Sequence, residues 1–314
     1  MTSRHTINAE TRPHFARFLN LCAPLPALRT AVICPEEETA LAGALLAAGE
    51  NLIEPILVGH HDRIQKTADD AKLDIGHLEI VHADGEEASA HAGVDLVVEG
   101  RAEALMKGYI HSDTYLAAVI RKNNGLRTQQ RTSHCFVMDV PNWPKPVIIT
   151  DAALNVAPEV KHKLSIAQNA IDLGRALEME QPKVAVLSAV ESPSEAIPSS
   201  IEARAVADAA RDGAISGGLV DGPFALDNAV SVEAAKLKGI TSPVAGHADI
   251  LLVPTVEAGN ILFKALTFMC GSETSGLVVG AKVPVILTSR ADSEEARIAS
   301  CALAVLYHRF LTAQ

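Results

Sequence analysis

Pro284-Val-Ile-Leu-Thr-Ser289-Arg290-Ala-Asp292-Ser293, followed by Glu294-Glu295, is the stretch on which the fold turns. An apolar run of strand type stops at a Ser-Arg pair, and a helical pattern opens within four residues. So short a handover from strand to helix belongs to an α/β protein, where the strand's carboxyl end meets the helix's positive N-terminus. That junction is the usual seat of an anion. A hydroxyl, a guanidinium and three carboxylates fall within seven positions, Ser289 to Glu295. Capping accounts for part of this: Ser289, Asp292 or Ser293 suits an N-cap, and Glu294 and Glu295 suit the first turn. It does not account for Arg290, because a cation near a helix N-terminus opposes the dipole and needs an anionic partner.

The rest of the chain alternates in the same way. Strands are expected at Thr30–Cys34, Ile53–Val58, Leu78–His82 and Ala104–Lys107, each followed by a helical pattern or a turn. His134–Val140 and Pro146–Thr150 flank the proline-rich turn Pro141-Asn-Trp143-Pro144-Lys-Pro146, which predicts an antiparallel pair. A long helix is expected from Val156 to about Glu180, then strands at Lys183–Val190, Leu219–Pro223 and Ile250–Val253. An apolar helix follows to Met269, a polar hinge-like loop at Ser272–Gly276, a long strand at Pro284–Thr288 and a last helix from Glu294 to Leu311. This order predicts one α/β domain up to about residue 150 and a second to about 275. The last strand and helix could join either one.

The 314 residues are 48% hydrophobic and 21% charged, which describes a globular chain with room for two cores. No apolar run reaches the ~18 residues of a membrane span, so no membrane contact is expected. The first twenty residues lack an apolar core segment, so no secretory signal is expected. The five cysteines are odd in number, widely spaced and without a CxxC pair, which suits free thiols in a reducing cytoplasm. A formal charge of −11 argues against nucleic acid as a partner. Against that background Arg121, Lys122, Arg127 and Arg131 stand out, in eleven residues without an acid. They form either a solvated face or the rim of an anion site.

Three further places carry candidate chemistry. Lys107-Gly108 ends a strand, where lysine offers a point charge to phosphate and glycine a close backbone approach. Gly259-Asn260 follows a strand and a proline and is read as opening a helix, either as a cap or with its N–H groups toward a phosphate. Ser133-His134 begins a strand beside the basic run, but adjacent residues in a strand point to opposite faces, so they make a poor nucleophile-base pair. The twelve histidines show no HxxxH or HxH spacing, and no metal is expected. Neither GxxxxGK[ST] nor a GxGxxG after a strand is present.

Several segments in register then resemble one family. They are Ala104-Leu-Met-Lys107-Gly108, Ser133-His134-Cys-Phe-Val-Met138, Val220-Asp221-Gly222-Pro223-Phe-Ala-Leu-Asp227-Asn228 and Pro243-Val-Ala245-Gly246-His-Ala248-Asp249. Glu257-Ala258-Gly259-Asn260-Ile261 and the opening stretch complete the set. Together they resemble the phosphate acetyltransferase/phosphate butyryltransferase family, and the Ser-Arg-Ala-Asp-Ser form looks more like the butyryltransferase branch. The resemblance implies an enzyme that interconverts acyl-CoA and inorganic phosphate with acyl phosphate and CoA, with no tightly bound cofactor. It implies two α/β domains around a cleft, as in isocitrate and isopropylmalate dehydrogenases, usually in a homodimer joined through the second domain. The last strand and helix would then return to the first domain, making it 1–150 with 276–314 and the second 151–275.

The same resemblance puts Ser289 and Arg290 in the catalytic centre. Lys107, Gly108, Arg131, Ser133, Gly259 and Asn260 are then the substrate-binding set. A guanidinium suits both phosphate and a developing oxyanion, and a base must take the thiol proton of CoA. Many acetyltransferases of the family carry an aspartate seven residues after the serine, where this chain has Ala296. The base therefore falls to Asp292, to Glu295 or to another segment. Two other readings stay open: an NAD- and metal-dependent hydroxyacid dehydrogenase of the same fold, and a non-catalytic protein that binds CoA or acyl phosphate. Turnover with NAD and a divalent metal marks the first, and CoA binding without turnover the second.

Overall fold

The computed structural model describes residues 7–288 and 292–313. Ser289 and Arg290, the expected catalytic pair, lie outside the described residues. The chain divides into two compact units, one running to Gln129 and resuming at Ser275, the other spanning Gln130–Thr274. The division falls before the strand pair around Trp143, not after it as the sequence pattern suggested.

The first unit opens with α1 (Pro13–Cys22), β1 (Leu28–Ile33), α2 (Glu38–Gly49), β2 (Ile53–Gly59) and α3 (His61–Ala71). It goes on through β3 (Ile80–His82), α4 (Glu86–Val98), β4 (Ala104–Lys107) and α5 (Ser112–Ile120). The second unit holds β5 (Ser133–Asp139), β6 (Val147–Thr150), α6 (Val160–Ala176), β7 (Lys183–Leu187) and α7 (Pro198–Ala209). β8 (Leu219–Phe224), α8 (Leu226–Val230), α9 (Val232–Leu237), β9 (Ile250–Leu252) and α10 (Val256–Cys270) complete it. The chain then returns to the first unit with β10 (Glu273–Val279), β11 (Val285–Ile286) and α11 (Glu294–Thr312).

In the first unit the strands lie in the order β3-β2-β1-β4-β11-β10. β11 runs parallel to β4, Val285 opposite Leu105 and Ile286 opposite Met106, and antiparallel to β10. The interior strands β1 and β4 are apolar almost throughout because both of their faces are buried. In the second unit the order is β5-β6-β9-β7-β8, and only the β5–β6 pair is antiparallel. That pair is the hairpin expected around Trp143.

Two expectations fail here. Ser272–Gly276 was read as a hinge-like loop, yet β10 starts at Glu273 and its polar opening is buried from Thr274 onward. Pairing with a neighbour, not side-chain polarity, decides that segment. The long strand expected at Pro284–Thr288 shortens to the two residues of β11. α1, which lacks a polar cap at Arg12, was not foreseen, although Phe15, Phe18 and Leu19 bury one face of it.

Gly108 fixes the carboxyl end of β4. Its N–H donates to the Ile33 carbonyl at 2.8 Å, and a Cβ there would lie 2.4 Å from that oxygen and 2.7 Å from the Cys34 carbonyl oxygen. Both neighbours are backbone and cannot swing away. Gly108→Ala should therefore lower unfolding free energy by about 1–3 kcal/mol in urea titrations. Gly49→Ala, where a Cβ meets nothing within 4 Å, should instead be neutral or raise stability by up to ~1 kcal/mol.

Candidate functional site

In the first unit Lys107 and Gly108 stand at the carboxyl edge of β4, the strand that pairs with β11. Lys107, the last residue of β4, is buried, and its Nζ donates to the Gly108 carbonyl at 3.3 Å. Beside it Cys34 is buried at positive φ, and burial pushes its thiol up to about 11. It is a neutral thiol at physiological pH. Tyr115 on α5 donates from its buried hydroxyl to the Ile286 carbonyl at 3.4 Å, which ties α5 to β11.

α11 begins on the same side. Ser293 is its N-cap, accepting from the Ala296 N–H at 3.0 Å, with Glu294 and Glu295 in the first turn. Capping thus explains this part of the opening stretch. Asp292 precedes the cap and is half-buried. The Glu295 carboxylate lies 3.8 Å from Arg12 Nε, an ion pair that joins the starts of α1 and α11.

In the second unit Arg131 and Ser133 stand at the entry to β5 and share a polar network. Asn169, buried in α6, donates from Nδ2 to the Arg131 carbonyl at 2.8 Å and to Ser133 Oγ at 2.9 Å. The Arg131 guanidinium donates from Nε to Asn155 Oδ1. Asn155 Nδ2 in turn donates to Asp151 Oδ2 at 2.7 Å and to the Thr132 carbonyl at 3.1 Å. Asp151, just past β6, also accepts from the N–H groups of His134, Ala153 and Leu154 at 3.0, 2.9 and 2.8 Å. Buried in this way, its carboxylate is satisfied by donors from three sides. Asp151, Asn155 and Asn169 were missed in the sequence. The one local signal, for Asp151 and Asn155, is the Asp-Ala-Ala-Leu-Asn spacing after a strand, which suits an Asp that accepts from N–H groups two and three residues on.

Gly259 and Asn260 were read as opening a helix, and that placement is overturned. Thr255 caps α10, accepting from the Ala258 N–H at 3.5 Å, so both residues lie in the second turn. The Gly259 N–H is engaged by the Thr255 carbonyl at 3.2 Å. The glycine serves packing: a Cβ would lie 2.6 Å from that of Ala152 and 2.8 Å from Val253 Cγ2. The basic run also divides. Arg121, Lys122 and Arg127 belong to the first unit and Arg131 to the second.

The family described as "Phosphate acetyl/butaryl transferase" matches residues 86–305. The chain belongs to that family. A phosphate acetyltransferase of Rhizobium meliloti is 51% identical over 285 residues, covering 91% of this chain and 90% of its own. A phosphate butyryltransferase of Clostridium beijerinckii is 40% identical over 293 residues, covering 93% and 97%. Among solved structures, a branched-chain phosphotransacylase from Enterococcus faecalis V583 superposes with a TM-score of 0.77 at 31% identity, over 90% of this chain and 99% of that one.

His134 gives this site a pH signature. It is fully buried against Phe136, with ring centroids 4.3 Å apart, and burial lowers its imidazole to about 4 against the opposing pull of Asp151. The folded state therefore holds it neutral, while the unfolded chain takes up a proton near the ordinary ~6.5. Between these values the unfolded state binds more protons, so stability is lost as pH falls from 6.5 toward 4. The loss from this residue should build up across that window. His134→Leu keeps the backbone bond to Asp151 and should show a correspondingly smaller loss between pH 7 and 4. Urea unfolding followed by fluorescence of Trp143, the one tryptophan of the chain, measures the difference.

Proposed function

We propose that this protein interconverts a short-chain acyl-CoA and inorganic phosphate with the acyl phosphate and CoA, by direct displacement in a ternary complex. The observation that carries this reading is the family match over residues 86–305, backed by relatives that align along nine tenths of the chain. The buried Lys107 at the carboxyl edge of β4 supplies fixed positive charge for a phosphate in an otherwise acidic chain. Arg290 stabilises the oxyanion and the phosphoryl oxygens, and Ser289 donates to the carbonyl or the thiolate. Arg131, held by Asn155 and Asn169, and Ser133 belong to the substrate-binding set, as does Asn260. Asp292 and Glu295 are the carboxylates of the opening stretch assigned to the catalytic set, Glu295 with its ion pair to Arg12. For the fold as a whole we keep an isocitrate/isopropylmalate dehydrogenase-like pairing of the two α/β units. Five free cysteines, four of them buried, support a cytoplasmic setting.

The test is release of CoA from acetyl-, propionyl- and butyryl-CoA, driven by phosphate or arsenate. At least one of these esters should turn over, and silence with all three would sink the reading. Arg290→Gln should lower kcat by ~10²–10³-fold, the usual cost of losing one fixed electrostatic contact.

We also propose a homodimer joined through the second unit. α10 leaves Ile261, Phe268 and Met269 at least 70% exposed, more apolar surface than one surface helix normally shows to water. Phe268→Glu combined with Met269→Glu should convert a dimer into a monomer by sedimentation velocity. A wild-type protein that is monomeric at micromolar concentration would contradict this.

A further inference from the structure

Thiol attack on an acyl phosphate needs a group to take the thiol proton, because a free thiol of this type ionises only near ~8.5. Ala296 removes the aspartate on which the family resemblance relied, Glu295 is paired with Arg12, and Asp292 is already engaged in an interaction of its own. Cys34 is pushed up to about 11 by burial and is itself a thiol. Lys107 is buried against the Gly108 carbonyl.

Four residues past Lys107 stands His111, at the N-cap position of α5, where its side chain makes no capping bond. Its Nδ1 lies 2.8 and 2.9 Å from the two carboxylate oxygens of Glu86, and its backbone N–H donates to the same carboxylate at 2.9 Å. Glu86 opens α4, whose N-terminus favours its negative charge. A carboxylate only accepts, so Nδ1 carries the proton. The lone pair is therefore on Nε2, on the opposite side of the ring. The Glu86 carboxylate is itself held by the His111 backbone N–H, so it fixes the ring from a set position, yet the His111 side chain is 73% exposed and open to a substrate. This is a base held in one tautomer by a third group.

A second histidine pair of the unit sits farther away. His60 and His82 meet Asp84 at 3.8 and 3.4 Å, but His60 follows β2 and His82 ends β3. In the strand order those are two and three strands from β4, roughly 10–15 Å along the sheet. His111 follows β4 itself, the strand that pairs with β11.

We infer that His111, oriented by Glu86, is the proton-transfer residue of the proposed acyl exchange, an inference that rests on that reaction. In the direction of acyl-CoA formation the thiol proton passes to His111 Nε2. The sulfur electron pair then forms the S–C bond to the acyl carbonyl. The bond from that carbon to the phosphate oxygen breaks, and inorganic phosphate leaves with the electron pair. In reverse, a phosphate oxygen attacks the thioester carbon, the C–S bond breaks, and the imidazolium returns its proton to sulfur. His111 is the catalytic group and Glu86 a positioning residue.

The test measures initial rates of CoA release for wild type, His111→Ala, His111→Gln and Glu86→Gln, each confirmed folded by circular dichroism and by an unchanged Tm. His111→Ala should lose ~10²–10⁴-fold in kcat, the range of general acid-base catalysis, with the KM for acyl-CoA within about threefold. Added imidazole should restore at least tenfold of the rate, which a structural loss does not allow. His111→Gln should be as slow as the alanine variant but insensitive to imidazole, because its side chain fills the space. Glu86→Gln should lose about tenfold in kcat at unchanged KM. Turnover by His111→Ala within threefold of wild type, or a loss that imidazole leaves untouched, overturns the assignment. A wild type without turnover contradicts the proposed reaction instead.

Discussion

The pairing of β11 with β4 is the constraint on which the first unit depends. Val285 and Ile286 lie in register with Leu105 and Met106, although 180 residues separate them in the chain. Parallel pairing sends both strands to the same edge, so Lys107 and Leu287, the residues that follow the paired positions, leave the ladder at the same end. Gly108 then lets the chain turn directly over the Ile33 and Cys34 carbonyls, which brings α5 and His111 back to that edge. Only two residues of β11 make the ladder. Tyr115, reaching from α5 to the Ile286 carbonyl, reinforces it from the helical side.

The second unit meets a different demand. It must bury a carboxylate and an imidazole side by side where β5 begins and β6 ends. Asp151 is tolerable there because three backbone N–H groups and Asn155 satisfy it. His134 is tolerable because it stays neutral. Asn155 and Asn169 then pass this rigidity outward to Arg131 and Ser133. An exposed arginine is thereby held at its backbone and at its guanidinium.

Much of this was legible before any coordinates. β4 ends where its sequence says, the β5–β6 hairpin was marked by its prolines, and the cap of α11 is Ser293, one of the three residues its sequence offered. The failures share one physical cause: each depends on a distant partner. β10 is a strand because of what it pairs with, not because Glu-Thr-Ser-Gly favours one. Gly259 looked like a helix opening, but its lack of a side chain answers to Ala152, which is far away in sequence. The His111–Glu86 pair joins residues 25 apart on different elements, and Asn169 reaches 36 residues back to Ser133. No local pattern announces contacts of that kind.

The central claim is that the carboxyl edge shared by β4 and β11 is where CoA and phosphate react. Amide hydrogen exchange followed by mass spectrometry, with and without saturating CoA, addresses it without any mutation. The account predicts slower exchange in peptides covering residues 107–112 and 292–296 when CoA is bound. Unchanged exchange in both, with protection appearing only at strand ends remote from β4, would contradict it.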